Sequence, residues 1–318
     1  MPIRNILRIG TRGSLLAMTQ TNWVAEKLRR QTPVLAVETV VIKTKGDILQ
    51  DVPLAKVGGK GLFVKEIEDA LLRDEVDIAV HSMKDVPMDL PDGLEIGVMS
   101  EREDPHDVLI SKDQKKLGDM PVGARIGTGS LRRGFQLLHF FPDIELVPIR
   151  GNLDTRIRKI QTDNLDGIIV AAAGLKRMGW AERITQVIPA EIMLPAVGQG
   201  VLGIELRKND EAVSRAVSFL NHQQTSVEVS AERAFLRRLG GGCQLPVAAY
   251  GLTDGNGLTV TGLLGSLDGR ELIKDEVRGP SGDAEVLGIS LAERILARGG
   301  QAIMDEVYRK GLFCGEEG

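Results

Sequence analysis

Apolar positions along the chain alternate between short β-like runs and longer stretches at helical spacing. Leu7-Arg8-Ile9-Gly10 reads as a strand. Ser14 then stands at an N-cap position, and Leu15 to Arg30 carries helical spacing. The β-branched run from Val37 to Lys43 predicts a second strand. Val64, Ile67 and Leu71 place a helix over Phe63 to Arg73, and Asp77-Ile78-Ala79-Val80-His81 is a short strand of buried type. This β-α-β-α-β alternation predicts an α/β domain.

A second block repeats the plan. Ile9-Gly10-Thr11-Arg12-Gly13-Ser14-Leu15 has a counterpart in Ile126-Gly127-Thr128-Gly129-Ser130-Leu131, and Asp77-Ile78-Ala79-Val80 has an echo in Asp166-Gly167-Ile168-Ile169-Val170. Two similar α/β domains are expected, with the break near residue 100. Pro195-Ala196-Val197-Gly198-Gln199-Gly200 reads as a hinge, after which the strand Val201 to Leu206 returns to the first domain. Beyond about residue 222 the pattern changes. A helix from Ser226 to Leu239 ends at Gly240-Gly241-Gly242-Cys243. Three β-like runs follow, at Val247 to Leu252, Leu258 to Leu264 and Glu271 to Val277, joined by turns at Asp254-Gly255 and Asp268-Gly269, and two helical stretches close the chain. The expected division is 1–100 with 201–220, then 101–200, then a small α+β domain at 221–318.

Composition narrows the function classes. The 318 residues carry a net charge of -4 and only 3% aromatics, which argues against a nucleic-acid surface held by bulk charge or base stacking. Mean hydropathy is -0.03 and no apolar run approaches the length of a membrane span. Met1-Pro2-Ile3-Arg4-Asn5 lacks the apolar core of an export signal, and Cys243 and Cys314 cannot build a disulfide framework, so a cytoplasmic protein with reduced thiols is expected. The four histidines form no HExxH pattern and the two cysteines are far apart in sequence, so no metal site is expected.

Candidate chemistry collects where strands end and helices begin. His81-Ser82-Met83-Lys84-Asp85-Val86-Pro87 leaves a strand at its carboxyl end, where open α/β sheets bind ligands. Asp85 is there a candidate acid/base, or a turn aspartate beside a solvated Lys84. In Gly127-Thr128-Gly129-Ser130-Leu131-Arg132-Arg133 a Gly-bearing turn enters a helix and leaves N–H groups free for an anion. Arg132 and Arg133 oppose the helix dipole in that first turn, which suggests an anion to neutralise, surface carboxylates being the alternative. Arg12, Arg150, Arg156 and Arg177 extend the series. Guanidinium forks match carboxylates and phosphates bidentately, so the cluster points to a polyanionic small molecule in an interdomain cleft. Gly58-Gly59-Lys60-Gly61 is not a P-loop, and the segment with Lys56 and Lys60 reads as a flexible loop or a solvated one. Cys243, presented by glycines, is either a nucleophile or an inert buried thiol.

In order along the chain, Ile9-Gly10-Thr11-Arg12, Lys56-Val57-Gly58-Gly59-Lys60-Gly61-Leu62-Phe63, His81-Ser82-Met83-Lys84-Asp85-Val86-Pro87, Gly127-Thr128-Gly129-Ser130-Leu131-Arg132-Arg133, Arg150-Gly151-Asn152, Ala173-Gly174-Leu175-Lys176-Arg177, Pro195-Ala196-Val197-Gly198-Gln199-Gly200 and Gly241-Gly242-Cys243-Gln244 resemble the porphobilinogen deaminase (hydroxymethylbilane synthase) family. The resemblance implies two domains like the halves of a type II periplasmic binding protein, plus a third that carries a dipyrromethane cofactor by a thioether to Cys243. It implies a transferase of tetrapyrrole and haem biosynthesis. Four porphobilinogen units add to that primer, each releasing ammonia, and hydrolysis frees linear hydroxymethylbilane. By the same resemblance Asp85 stabilises the cation left when ammonia departs. Arg12, Ser14, Ser82, Lys84, Thr128, Ser130, Arg132, Arg133, Arg150, Arg156 and Arg177 hold carboxylates or cofactor, and Lys56, Lys60 and Phe63 lie on a loop covering the cleft. Gly129 departs from a Ser common in the family, which removes one hydroxyl donor to the cofactor. A monomer is expected, with hand-off of product to uroporphyrinogen-III synthase, and no nucleic-acid or membrane partner. A non-catalytic anion binder explains the arginines equally well but not a glycine-presented thiol in an added domain.

Overall fold

The computed structural model describes residues 6–44, 64–242 and 245–309. They fall into two compact units. Among these, one unit takes residues 6–44, 64–103 and 200–226, and the other takes 104–199 and those from 227 on.

The first unit is built on a five-stranded mixed sheet. Its elements are β1 (Ile6–Thr11), α1 (Leu15–Gln31), β2 (Ala36–Val41), α2 (Lys65–Leu72), β3 (Ile78–Ser82), β4 (Leu94–Met99), β10 (Leu202–Arg207) and α6 (Glu211–Val217). Strand order is β2-β1-β3-β10-β4. β1 runs parallel to β2 and β3, whereas β10 is antiparallel to both β3 and β4. Side chains alternate across the sheet. Ile78 and Val80 pack with Ile9, Val24 and Leu28 on the α1 face, and Ala79 packs with Ile67 and Leu71 on the α2 face. Burial on both faces is why β3 reads as a continuous apolar run. The returning strand expected at Val201 to Leu206 is β10, paired between β3 and β4.

The second unit repeats this sheet. β5 (Asp107–Ser111), β6 (Arg125–Gly127), α3 (Leu131–Phe140), β7 (Glu145–Val147), α4 (Leu153–Thr162), β8 (Gly167–Ala171), α5 (Ala172–Arg177) and β9 (Gln186–Val187) give the order β7-β6-β8-β5-β9. β6 is parallel to β7 and β8, while β5 is antiparallel to β8 and β9. The plan matches the first sheet strand for strand: edge, first strand, third strand, an inserted antiparallel strand, edge. The inserted strand follows the repeat in the first sheet and precedes it in the second. Ile168 and Val170 pack against Ile160 and Leu175 on one face, and Ile169 packs with Ile126 and Leu137 on the other.

The same unit holds α7 (Gln223–Arg238) beyond its first residues, an antiparallel sheet of β11 (Val247–Asp254), β12 (Gly257–Gly265) and β13 (Leu272–Gly279), then α8 (Ala284–Ile295) and α9 (Gln301–Arg309). The β11–β12 hairpin closes at Asp254 paired with Gly257, where the Asp-Gly signal places it. Phe135 of α3 packs with Ala248 and Leu263 of this sheet. α7 starts three residues before the Ser226 expected from spacing. His222 Nδ1 accepts the Thr225 amide at 3.3 Å, a cap that histidine seldom announces in sequence. No helix among the described residues is long and apolar enough to cross a membrane.

Candidate active site

In the first unit β1 and β3 run parallel, so their carboxyl ends open on one edge of the sheet. β1 delivers half-buried Arg12, and Ser14 follows as the N-cap of α1, its side chain accepting from the Ala17 amide. β3 delivers Ser82 and then a single 3-10 turn, Met83–Asp85. Within that turn Met83 is buried, Lys84 half-buried and Asp85 exposed. The turn is pinned from below, since the Met83 amide donates to the Val201 carbonyl at 2.9 Å. Gln20 of α1, 4% exposed, donates from Nε2 to Ser82 Oγ at 3.1 Å. Gln20 thus joins this edge, although it lies mid-helix and carries no motif in sequence.

In the second unit β7, β6 and β8 run parallel and also open on one edge. β6 leads to Thr128-Gly129-Ser130. Ser130 caps α3, its side chain accepting from the Arg133 amide, while its own amide donates to Thr128 Oγ1 at 3.2 Å. A Cβ on Gly129 would stand 2.5 Å from the Ile149 carbonyl oxygen. This backbone therefore takes glycine where a serine hydroxyl would need the strand end to move. β7 leads to half-buried Arg150, whose desolvation holds its guanidinium below the usual range. Arg156 Nε donates to the Gly151 carbonyl at 2.8 Å. β8 leads into α5 and half-buried Arg177, and the neighbouring Lys176 ammonium lies 2.9 Å from Asp104.

The inserted strand brings a residue that the motifs did not reveal. β5 is antiparallel to β8, so its first residue, Asp107, pairs with Ala171 at the functional edge. Asp107 is fully buried and takes Arg132 Nη1 on one oxygen and Arg133 Nη2 on the other, each at 2.7 Å. Gln199 Nε2 adds a bond at 3.1 Å, and Arg132 Nη1 also donates to the Leu194 carbonyl at 2.6 Å. Arg133 Nε also donates to Asp107 at 2.9 Å, and its Nη1 donates to the Ile169 carbonyl at 3.2 Å. Both arginines are 5% exposed. Desolvation lowers the Arg132 guanidinium against the support of Asp107. Two guanidiniums on one carboxylate leave a positive excess at the start of α3, where helix N–H groups also favour an anion. That excess fits a ligand with several carboxylates, such as a dipyrromethane with its acetate and propionate arms.

Lys56, Lys60, Phe63 and Cys243 lie outside the described residues, as does Cys314. Three and two positions before Cys243, Gly240 and Gly241 have φ of 95° and 57°, a left-handed path that glycine adopts readily.

Each sheet thus places cationic and hydroxyl side chains along the carboxyl edge of parallel strands, the arrangement of an α/β protein suited to an anionic ligand. Residues 7–215 match the family model of the porphobilinogen deaminase dipyrromethane cofactor-binding domain, and residues 226–297 match that family's C-terminal domain. The porphobilinogen deaminase of Syntrophus aciditrophicus is 58% identical over 301 residues, which is 95% of this chain and 98% of the relative. That of Pelobacter propionicus is 54% identical over 312 residues, covering 98% and 100%. The solved methionine binding protein MetQ is 14% identical with a TM-score of 0.44, covering 70% of this chain and 92% of that one. The chain belongs to the porphobilinogen deaminase family: it is a transferase of tetrapyrrole biosynthesis with a dipyrromethane cofactor.

Proposed function

We propose that this chain joins four porphobilinogen molecules head to tail on a dipyrromethane attached by a thioether to Cys243, and then releases linear hydroxymethylbilane by hydrolysis. In each addition a C–N bond breaks to release ammonia, a C–C bond forms to the growing chain, and the attacked pyrrole carbon loses one proton. The cofactor, when bound, supplies the primer with a free pyrrole carbon. The rest is the work of side chains. Asp85 holds the pyrrole N–H of the incoming porphobilinogen and spreads the positive charge that appears as ammonia leaves. Arg12 and Lys84, on the same edge as Asp85, hold substrate carboxylates. Ser82, positioned by Gln20, and Ser14 add hydroxyl groups to that edge.

In the second unit Thr128, Ser130, Arg132, Arg133, Arg150, Arg156 and Arg177 serve the cofactor and the growing polycarboxylate, with Lys56, Lys60 and Phe63 assigned to a covering loop. Asp107 keeps the two buried arginines oriented for this task. The reading takes the protein as three domains, 1–100 with 201–220, 101–200 and 221–318, and as a cytoplasmic monomer that passes its product to uroporphyrinogen-III synthase.

The observation that carries this reading is Asp85, an exposed carboxylate on a pinned turn at the carboxyl edge that also bears Arg12 and Lys84. Asp85→Asn keeps the shape and loses the charge. Ammonia release from porphobilinogen should fall about 10²–10⁴-fold in a protein that still folds. Release at the wild-type rate would overturn the assignment.

A further inference from the structure

Three ionisable side chains lie buried in the first unit behind the Ser82–Asp85 turn. Glu68 on α2 is 6% exposed, His81 on β3 6% and Glu205 on β10 1%. His81 Nε2 and Glu205 Oε2 are 2.9 Å apart. The other Glu205 oxygen, Oε1, and Glu68 Oε1 have no hydrogen-bond partner among the described residues. Among the described residues, the charged groups that act on Glu68 are Glu205 from β10, His81 from β3, and Asp69 and Lys65 from its own helix. With both glutamates ionised, two carboxylates would face at most one imidazolium with almost no access to water. A buried acid in that position keeps its proton. Burial, then Glu205, push Glu68 up from 4.5 to about 7, against a smaller pull from His81.

Two of these elements, β3 and β10, carry the turn. His81 and Ser82 pair with Gly203 and Leu202 of β10, and Val201 accepts the Met83 amide. Gly203 also leaves the space that the Met83 side chain fills, since a Cβ there would collide with the Met83 sulfur. Any shift of β3 against β10 is therefore passed to Met83–Asp85.

We propose that Glu68, His81 and Glu205 form one proton-holding unit that positions the Ser82–Asp85 turn. The protonated form of Glu68 is the active one. Its loss to solvent sets Glu68 and Glu205 against each other and displaces the carboxyl end of β3. None of the three touches the substrate; they are positioning residues, and their effect on turnover rests on the reading of Asp85 given above.

The test is Glu68→Gln, which mimics the protonated acid, in the cofactor-loaded enzyme. Infrared difference spectra across neutral pH should show a buried carboxylic acid deprotonating in the wild type and no such band in Glu68→Gln. Between about pH 6 and about pH 8.5, kcat of the wild type should fall about threefold or more relative to Glu68→Gln, with KM moving in parallel in both. Superimposable infrared and kcat profiles for the two proteins would overturn the proposal, even if Glu68→Gln melts lower. Asp85→Asn separates the two readings: full activity in that variant removes the role of Asp85 and leaves the infrared result on Glu68 to stand alone.

Discussion

Asp107 shows how much of the site depends on a residue with no motif around it. One carboxylate, wholly buried, meets two guanidiniums and an amide. Breaking a buried pair is costly because the remaining charges stay buried without a partner. Asp107→Asn should lower stability by about 3–5 kcal/mol in urea unfolding, far more than an exposed aspartate such as Asp113 would lose. An unchanged midpoint would mean that the arginines are held by other groups. The arginines themselves were legible, because two cations in the first turn of a helix demand a counter-charge. Asp107 was not, since its partners lie between 25 and 92 residues away along the chain and meet it through the antiparallel insertion of β5. Gln20 escaped for a similar reason: its partner Ser82 is 62 residues distant. Gly129 was legible as a departure from the family pattern, and the structure supplies the reason in the Ile149 carbonyl beside it.

Elements with strong periodicity came through. β1, α1 and β3 announce themselves by apolar spacing and the Ser14 cap. β4, β7 and β9 gave no comparable signal. β7 and β9 span three and two residues, and β4, interrupted by Gly97, pairs among the described strands only with β10, about a hundred residues later in the chain. α7 illustrates an element fixed by polar contacts that periodicity does not report. Glu232, fully buried, accepts the amides of Gly198 at 2.7 Å and Gly251 at 2.9 Å. It thereby ties the Pro195–Gly200 segment and β11 to the same helix. Glu232→Ala leaves two buried amides unpaired and should cost about 1–3 kcal/mol for each. Hydrogen exchange should report the loss at Gly198 and Gly251 in particular. Retained protection at both amides would show that the helix is not their anchor.

Across the whole molecule the two five-stranded sheets share one plan, and each receives an antiparallel strand from outside its own repeat. The duplicated strand-turn-helix segments made this readable, because the same turn chemistry recurs at Ser14 and Ser130. The stability of the first unit should depend on pH in two opposed ways. Burial raises the Asp77 carboxyl, but bonds from Arg8 at 2.7–3.0 Å outweigh it and hold the group below 3.8. That contribution is present above pH 3.8 and is lost as the pH falls through the lower folded value. Glu68 works the other way: it binds its proton more tightly folded than unfolded, so stability declines as pH rises from 4.5 to about 7. Thermal denaturation of Glu68→Gln across that interval should show the decline flattened, and a decline identical to the wild type would contradict it.

The turnover proposed above depends on one covalent bond, from Cys243 and not Cys314 to the primer. A thiol is the right group for this bond, because even a small thiolate fraction at neutral pH is strongly nucleophilic. Gly240 and Gly241 turn the chain through left-handed backbone just before it. Peptide mapping of the purified wild-type protein by mass spectrometry tests the claim directly. The Cys243 peptide should carry the mass of a two-pyrrole adduct and the Cys314 peptide should be unmodified; an adduct on Cys314, or none on Cys243, would contradict the account.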